Sequence, residues 1–515
     1  MRAEVSTKMG AAARPLAQAS WWVYGAAGLL VLISRLPWTS RVLYHWDSVN
    51  FALALGEFNL AKEQPQPPGY LLYVWLGRLV QLALPDPQSA MLAISIAASA
   101  AAVVALAWLG TLLFNRRVGW MAAAFLAASP LFWFYNEIAL PHSLDAFLVI
   151  VSAGLLYGVM RGEQKYLLPA VVVLAVAGGV RQQTLVFLAP AALFALRKQN
   201  WRRLLAAAGL GALLCLAWFI PLIAASGGLA AYLKVTNDFT DRFMRTTSLL
   251  MGAGWWGLQR NLTKLALYTG YGWSVFALPA GIAALWRARR LRLDERAIFL
   301  ALWLLPAVGY YLVIHMGQQG LVFVYLPALL LISAACLDGL LARQPRLRLA
   351  CAAALVALSA GIFLFGPEYP LGEGRLRLLT AQTIANSDRY YLERFAAIRA
   401  QFPAQSTLIV AANWHHVQYY LPEYRTLPFT LGAKWEVEES APVNPQAAEV
   451  RGSAAELGLL AGAPARVVLF DPPLAAFTQA PLSAAGSPGA PLAVLTLGPQ
   501  QIFQLGADAF GVVGP

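Results

Sequence analysis

Long apolar runs recur along the first two thirds of the chain and then stop. Runs near 18–36, 88–114, 118–135, 143–160, 204–222, 264–286, 297–314, 320–341 and 348–366 are each long enough to cross a bilayer at about 20 residues per crossing. Two shorter runs, 166–180 and 182–196, read as a tight pair of short helices, which brings the expected crossings to about eleven. After Gly366 the pattern changes to short alternating segments. Tyr391, Phe395 and Ile398 have helical spacing within 388–401, and 407–411, 466–470, 493–497 and 501–505 read as short strands. The stretches 436–445 and 479–491 read as loops. The expected fold is an all-α polytopic membrane domain over residues 1–366, followed by a small extracytoplasmic α/β domain over 367–515. No internal repeat is visible.

Composition agrees with the pattern, since 59% of residues are hydrophobic and only 12% are charged. Charge then orients the chain. With the N-terminus in the cytoplasm, the cytoplasmic pieces carry nineteen Lys and Arg residues, among them Arg2, Lys8, Arg14, Arg116, Arg117, Arg197, Arg289, Arg290 and Arg292, against five acids. Bases accumulate in short cytoplasmic loops, so the net +13 is a topology signal and not a nucleic-acid footprint. The same count bears on 70–84, an apolar segment interrupted by Arg78. Were it to span, every later basic loop would face outward, so it is expected to lie flat on the outer surface with Arg78 directed at headgroups. The first external loop then runs from Pro37 to Pro87, and the second domain is extracytoplasmic. Trp21–Ile33 lacks a small-residue cleavage site and is expected to stay as the first helix. Cys215, Cys336 and Cys351 fall in membrane helices without disulfide or zinc spacing. The high Ala, Leu, Arg and Pro usage suggests a bacterial gene, and hence a bacterial inner membrane.

Under this topology the residues with chemical potential share the outer side. Asp47 sits in His45-Trp46-Asp47-Ser48, with Gln66-Pro67-Pro68-Gly69-Tyr70 in the same loop. Glu137 and His142 lie in the short second loop, Arg181 joins the pair of short helices, and Asp238, Asp241, Arg242 and Arg245 occupy a long loop over 223–261. Acids that take a proton and arginines that hold a phosphate thus face one mouth. Each has a plainer reading. Asp47 can simply cap a helix beginning near Ser48, Pro67-Pro68-Gly69 can be a turn, Glu137 an interfacial charge, and Arg181 a residue snorkelling to headgroups. Phe132-Trp133-Phe134-Tyr135 reads as an interfacial aromatic belt before a sugar-stacking platform.

Together these residues resemble the C-type (GT-C) integral-membrane glycosyltransferases that use polyprenyl-phosphate sugars, a group that includes the protein O-mannosyltransferases and the lipid A aminoarabinose transferases. Asp47 after the first membrane helix and Pro67-Pro68-Gly69-Tyr70 carry the likeness, with Gly178-Gly179-Val180-Arg181-Gln182-Gln183 and Tyr325-Leu326-Pro327 similar to later elements. It covers roughly residues 18–366. One departure is Gln66, where related sequences often have His before the double proline.

The resemblance implies glycosyl transfer on the extracytoplasmic face from a polyprenyl-phosphate sugar donor to a hydroxyl of a lipid, polysaccharide or protein. Asp47 would be the general base and Glu137 would orient the acceptor or raise the basicity of Asp47. His45, Trp46, Pro67, Pro68, Gly69, Tyr70, His142, Arg181, Arg242 and Arg245 would contact substrate, with Arg260 a further candidate for the phosphate charge. A single displacement would invert the anomeric centre. No cofactor is demanded. A divalent metal held by His45 and His142 with Asp47 or Glu137, as in some relatives, is not required by any spacing. His415-His416 reads as a surface pair or an acceptor contact. The competing class is a polytopic transporter or flippase for a lipid or glycan, which would need no base at Asp47; the inverted repeats usual in transporters are not visible.

Overall fold

The computed structural model describes residues 21–287, 294–368, 370–371, 376–429, 466–498, 501–505 and 509–513. The loop expected over 436–445 and the basic residues Arg2, Lys8, Arg14, Arg289, Arg290 and Arg292 lie outside the described residues. The chain forms two compact units: residues 1–39, 54–366 and 379–381 make the first, and residues 40–53, 367–378 and 382–515 make the second. The segment carrying His45, Trp46 and Asp47 thus belongs to the second unit, although residues just before it in the chain belong to the first.

The first unit is helical. Its elements are α1 (Trp21–Arg35), the end of α2 (Trp46–Gly56), α3 (Leu71–Gln81), α4 (Pro87–Leu113), α5 (Arg116–Ala128), α6 (Pro130–Asn136), α7 (His142–Met160), α8 (Leu167–Val180), α9 (Gln182–Leu196), α10 (Trp201–Ala225), α11 (Leu229–Thr247), α12 (Gly254–Trp273), α13 (Ala277–Arg287), α14 (Glu295–Val313), α15 (Leu326–Leu340) and α16 (Pro345–Phe365). Polar caps set several starts. The Asp86 carboxylate accepts the Ser89 N–H with Pro87 at the first helical position, and Asn115, Asn200 and Asp294 cap α5, α10 and α14 in the same way. Among the described residues α4, α7, α10, α14 and α16 are long and apolar enough to cross a membrane, and α5 with α6, bent by 63° between them, is a broken span or a re-entrant loop. The bend falls at Ser129-Pro130, where Pro130 has no N–H to continue the helix. Small residues let α4 and α5 approach closely, since a Cβ on Gly110 would sit 2.6 Å from the Gly119 Cα.

Several expectations are corrected here. The run 264–286 is not one helix, because α12 ends at Trp273 and a short 3-10 turn, Ser274–Phe276, separates it from α13. The run 320–341 begins as a 3-10 segment, Gln319–Val324, before α15. The supposed loop over 223–261 contains α11, whose apolar Leu229, Tyr232, Leu233, Val235, Phe239 and Phe243 alternate with polar residues at helical spacing. Arg78 does not reach for headgroups; its guanidinium donates to the carbonyls of Ala54 and Leu55 at 2.9 and 3.0 Å, closing the C-terminus of α2. The aromatic run Phe132–Tyr135 is buried in protein and is no lipid-facing belt. Trp133 stacks on Phe363 with ring centres 4.9 Å apart, and the Arg35 guanidinium covers it at 4.0 Å.

The second unit holds residues 46–53 of α2, α17 (Ala381–Gln401), α18 (Trp414–Tyr420) and strands β1 (Pro370–Leu371), β2 (Leu376–Arg377), β3 (Thr407–Ala411), β4 (Arg425–Pro428), β5 (Arg466–Leu469), β6 (Ser483–Ser487), β7 (Ala490–Thr496), β8 (Ile502–Leu505) and β9 (Phe510–Val513). A five-stranded sheet runs in the order β4-β3-β5-β7-β6, with β3 parallel to β4 and β5, and β7 antiparallel to β5 and β6. The period of two sorts its side chains between faces. Ile409, Ala411, Val468, Leu492 and Val494 pack against Tyr391, Phe395 and Ile398 of α17 and against Val42. Leu408, Val410, Val467, Leu469 and Leu495 pack against Phe503 and Phe510. The strands expected over 407–411, 466–470, 493–497 and 501–505 are present. The stretch 479–491, expected as a loop, instead forms β6 and the start of β7, a hairpin whose Ala, Ser and Gly residues carry little strand preference.

Candidate functional site

In the second unit, α2 begins at Trp46, one residue before Asp47. The Asp47 backbone N–H donates to Nδ1 of His45 at 3.0 Å, and the His45 carbonyl accepts from Ser48 and Val49. His45 therefore supports the start of the helix with its ring and its backbone carbonyl. The Asp47 carboxylate sits in the first helical turn, where the helix dipole favours negative charge, with 23% of its side chain exposed. Its Oδ2 is 3.9 Å from His45 Nδ1. That contact is not an ion pair at neutral pH: Nδ1 is already an acceptor, and burial pulls the imidazole down to about 4. Trp46 stacks on the ring of His415 at 3.9 Å and meets Trp414 edge-on at 5.3 Å. His415 and His416 are buried, so the surface pair expected there is corrected as well.

In the first unit, Pro67-Pro68-Gly69-Tyr70 forms a tight turn into α3. The Pro67-Pro68 peptide is cis, Gly69 has φ of 118° and Tyr70 has φ of 43°. A Cβ at Gly69 would lie 2.6 Å from Leu222, so the position demands glycine both for its backbone and for space. Tyr70 holds a left-handed conformation without that freedom. The Pro68 carbonyl accepts from Gln182 Nε2 at 3.3 Å and from the Tyr232 hydroxyl at 3.4 Å, which ties the turn to α9 and α11.

Arg181 occupies the extended break between α8 and α9. It neither snorkels nor stands exposed. One guanidinium nitrogen donates to Asp145 at 3.2 Å, and the other donates to Gln183 at 3.1 Å and to the Tyr311 hydroxyl at 3.3 Å. The Thr184 hydroxyl donates to the second Asp145 oxygen at 2.7 Å. Asp145 was not among the residues expected here, though an acid one turn into an apolar helix is itself a signal for a functional or paired group. Glu137 is fully buried; Arg35 and the Trp133 indole are its polar neighbours, and neither makes a hydrogen bond of normal geometry to it. His142 Nε2 pairs with Gln318 Oε1 at 2.7 Å, its ring against Tyr135 and filling the space that Gly320 leaves open.

Arg242 pairs with Glu63 and lies over Phe239 and Phe243, while Arg245 pairs with Asp241 at 2.8 Å, largely exposed. Both are on α11. On α12, Arg260 donates to Asn261 Oδ1 and to the Met316 carbonyl. Lys264, one turn further on, is buried with its ammonium 3.5 Å from the Gly317 carbonyl; sequence reasoning had passed over it. These two cations face one loop. Together with burial they hold the His315 imidazole down to about 3, burial being the larger cause. Among the described residues no group of three His, Cys, Asp or Glu side chains is placed to hold a metal.

The fold is similar to that of ArnT from Cupriavidus metallidurans. It superposes on the crystal structure of ArnT from Cupriavidus metallidurans bound to undecaprenyl phosphate with a TM-score of 0.55 at 15% identity, covering 94% of this chain and 100% of that one. The apo structure of the same protein gives 0.53 at 14% identity, over 93% and 98% of the two chains. Residues 65–224 match the family described as dolichyl-phosphate-mannose-protein mannosyltransferase. The matched segment contains Pro67 to Tyr70, Glu137, His142, Asp145 and Arg181; Asp47 lies before it. No curated protein matches the sequence.

Proposed function

We propose that this protein is a membrane glycosyltransferase that moves a sugar from a polyprenyl-phosphate donor to a hydroxyl acceptor on the extracytoplasmic face. The observation that carries the reading is Asp47: a partly exposed carboxylate in the first turn of α2, one residue after the Trp46 that begins the helix. The fold, shared over nearly the whole chain with a protein crystallised with undecaprenyl phosphate, supports a lipid-phosphate donor. The match of residues 65–224 to the dolichyl-phosphate-mannose-protein mannosyltransferase family supports it independently.

In the proposed reaction Asp47 takes the proton of the acceptor hydroxyl as its oxygen forms a bond to the anomeric carbon. The bond from that carbon to the phosphate oxygen breaks, and its electron pair leaves with the lipid phosphate. A single displacement of this kind inverts the anomeric centre. Cations stabilise the charge that gathers on the departing phosphate. Arg260 and Lys264, one helical turn apart on α12, are candidates for that role alongside Arg181. No step calls for a metal.

The test is direct. Purified protein in lipid nanodiscs is incubated with undecaprenyl-phosphate-linked sugars and extracted envelope glycolipids, and release of undecaprenyl phosphate is followed by mass spectrometry. Acceptor-dependent release that Asp47→Asn lacks supports the proposal. Release equal in the variant removes Asp47 from the reaction, and release from no donor removes the proposal.

A further inference from the structure

The segment 40–50 is bound to the α/β unit by a set of specific contacts. The Asp388 carboxylate of α17 accepts the backbone N–H of Arg41 at 3.0 and 2.9 Å and that of Val42 at 3.0 Å. The Leu43 N–H donates to the Tyr420 hydroxyl at 2.8 Å, and the Leu43 carbonyl meets His416 Nε2 at 2.8 Å. Val42 enters the hydrophobic core that α17 shares with the sheet. These contacts fix the strand-like approach to α2, but they do not by themselves set how α2 is rotated.

His415 does that. Its ring stacks on Trp46 at 3.9 Å, and its Nδ1 pairs with Asn50 Oδ1 at 2.8 Å, both partners being on α2. Residues four apart share a helix face, so one buried imidazole grips Trp46 and Asn50 together. Asp47 follows Trp46 by one residue, about 100° around the helix. Holding Trp46 and Asn50 therefore sets the direction in which the Asp47 carboxylate projects. Asn50 is fully buried and His415 is 6% exposed, so water does not compete for this contact.

We propose that His415, with Asn50, is a positioning residue for Asp47, and that the C-terminal α/β unit serves the reaction by orienting the helix that carries the base. The catalytic part of this inference rests on the reading of Asp47 given above; the mechanical part does not. His415 touches no reacting atom in this account and acts through α2.

The experiment uses the full-length protein in nanodiscs and two readouts. Hydrogen–deuterium exchange is measured over 44–56 and over β3 and β5 for wild type, His415→Ala, His415→Asn and Asn50→Ala. The expected result is exchange over 44–56 faster by about tenfold in His415→Ala and Asn50→Ala, with β3 and β5 unchanged and His415→Asn intermediate, because the amide keeps a donor near Nδ1. Asn50→Ala leaves the strand core intact, so it stands in if His415→Ala does not fold. The second readout is the turnover of undecaprenyl-phosphate-linked sugar, in which kcat falls by about tenfold or more at unchanged donor KM and is partly restored in His415→Asn. Unchanged exchange over 44–56 in both alanine variants overturns the proposal, and so does faster exchange with wild-type kcat. If Asp47→Asn turns over like wild type, the base assignment is what has failed, and the exchange data still decide whether His415 holds α2.

Discussion

Arg181 donates to Asp145 across 3.2 Å with both side chains almost wholly out of solvent. A buried pair gains Coulombic energy only after both ions have been desolvated, and here Thr184, Gln183 and Tyr311 satisfy further donors and acceptors. The pair joins α7, α9 and α14 in a region where water and lipid offer nothing comparable. Removing one partner should cost far more than removing both. Arg181→Met is expected to destabilise the membrane unit by about 3 kcal/mol or more, while Arg181→Met combined with Asp145→Leu recovers most of that loss. Thermal unfolding in detergent checks this, and additive losses would show that the two residues are not coupled.

At Gly69 two constraints coincide, a φ of 118° and a Leu222 methyl where a Cβ would go. Gly69→Ala should destabilise the turn by about 1–3 kcal/mol. Leu222→Ala added to it should relieve the contact but not the backbone, so stability returns only in part. Tyr70→Gly, which removes the left-handed strain next door, should raise the unfolding temperature slightly unless the lost ring packing outweighs it.

Burial holds His45 and His416 down to about 4 and His415 down to about 3. The unfolded chain binds their protons near pH 6.5 while the folded one does not, so stability is full above that pH and falls as pH drops below it. At pH 5.5 each imidazole should cost about 1 kcal/mol. Asp388 and Asp471, pushed up by burial, act in the opposite sense where they titrate. The expected outcome is a lower unfolding midpoint for the second unit at pH 5.5 than at pH 7.5, with a smaller difference in His415→Asn. A difference as large as in wild type would remove His415 from the account.

The long apolar helices, the strands and the helix start beside Asp47 were legible because each rests on local pattern, but among the described residues five or six helices are long and apolar enough to cross, where about eleven crossings were expected. What was hidden depends on contacts between distant residues. Asp145 disappeared inside an apolar run, and only its partner 36 residues on shows why it is there. The helix α11 is hard to see because, after the short apolar stretch Leu229–Leu233, its apolar residues are spread at helical spacing among charged and polar ones. His415 and His416 look like surface residues until α2 and the segment before it close over them. Likewise, no feature of residues 40–53 announces that they fold with a unit whose other residues begin more than three hundred positions later.

The central claim is that Asp47 is the base of a glycosyl transfer. Its most direct test is mass spectrometry of envelope glycolipids, polysaccharides and glycoproteins from a deletion strain carrying wild type or Asp47→Asn at matched protein levels. The account predicts that wild type restores a glycan that Asp47→Asn does not, with the missing mass naming the sugar. Equal restoration by both would contradict it and move the transporter reading ahead.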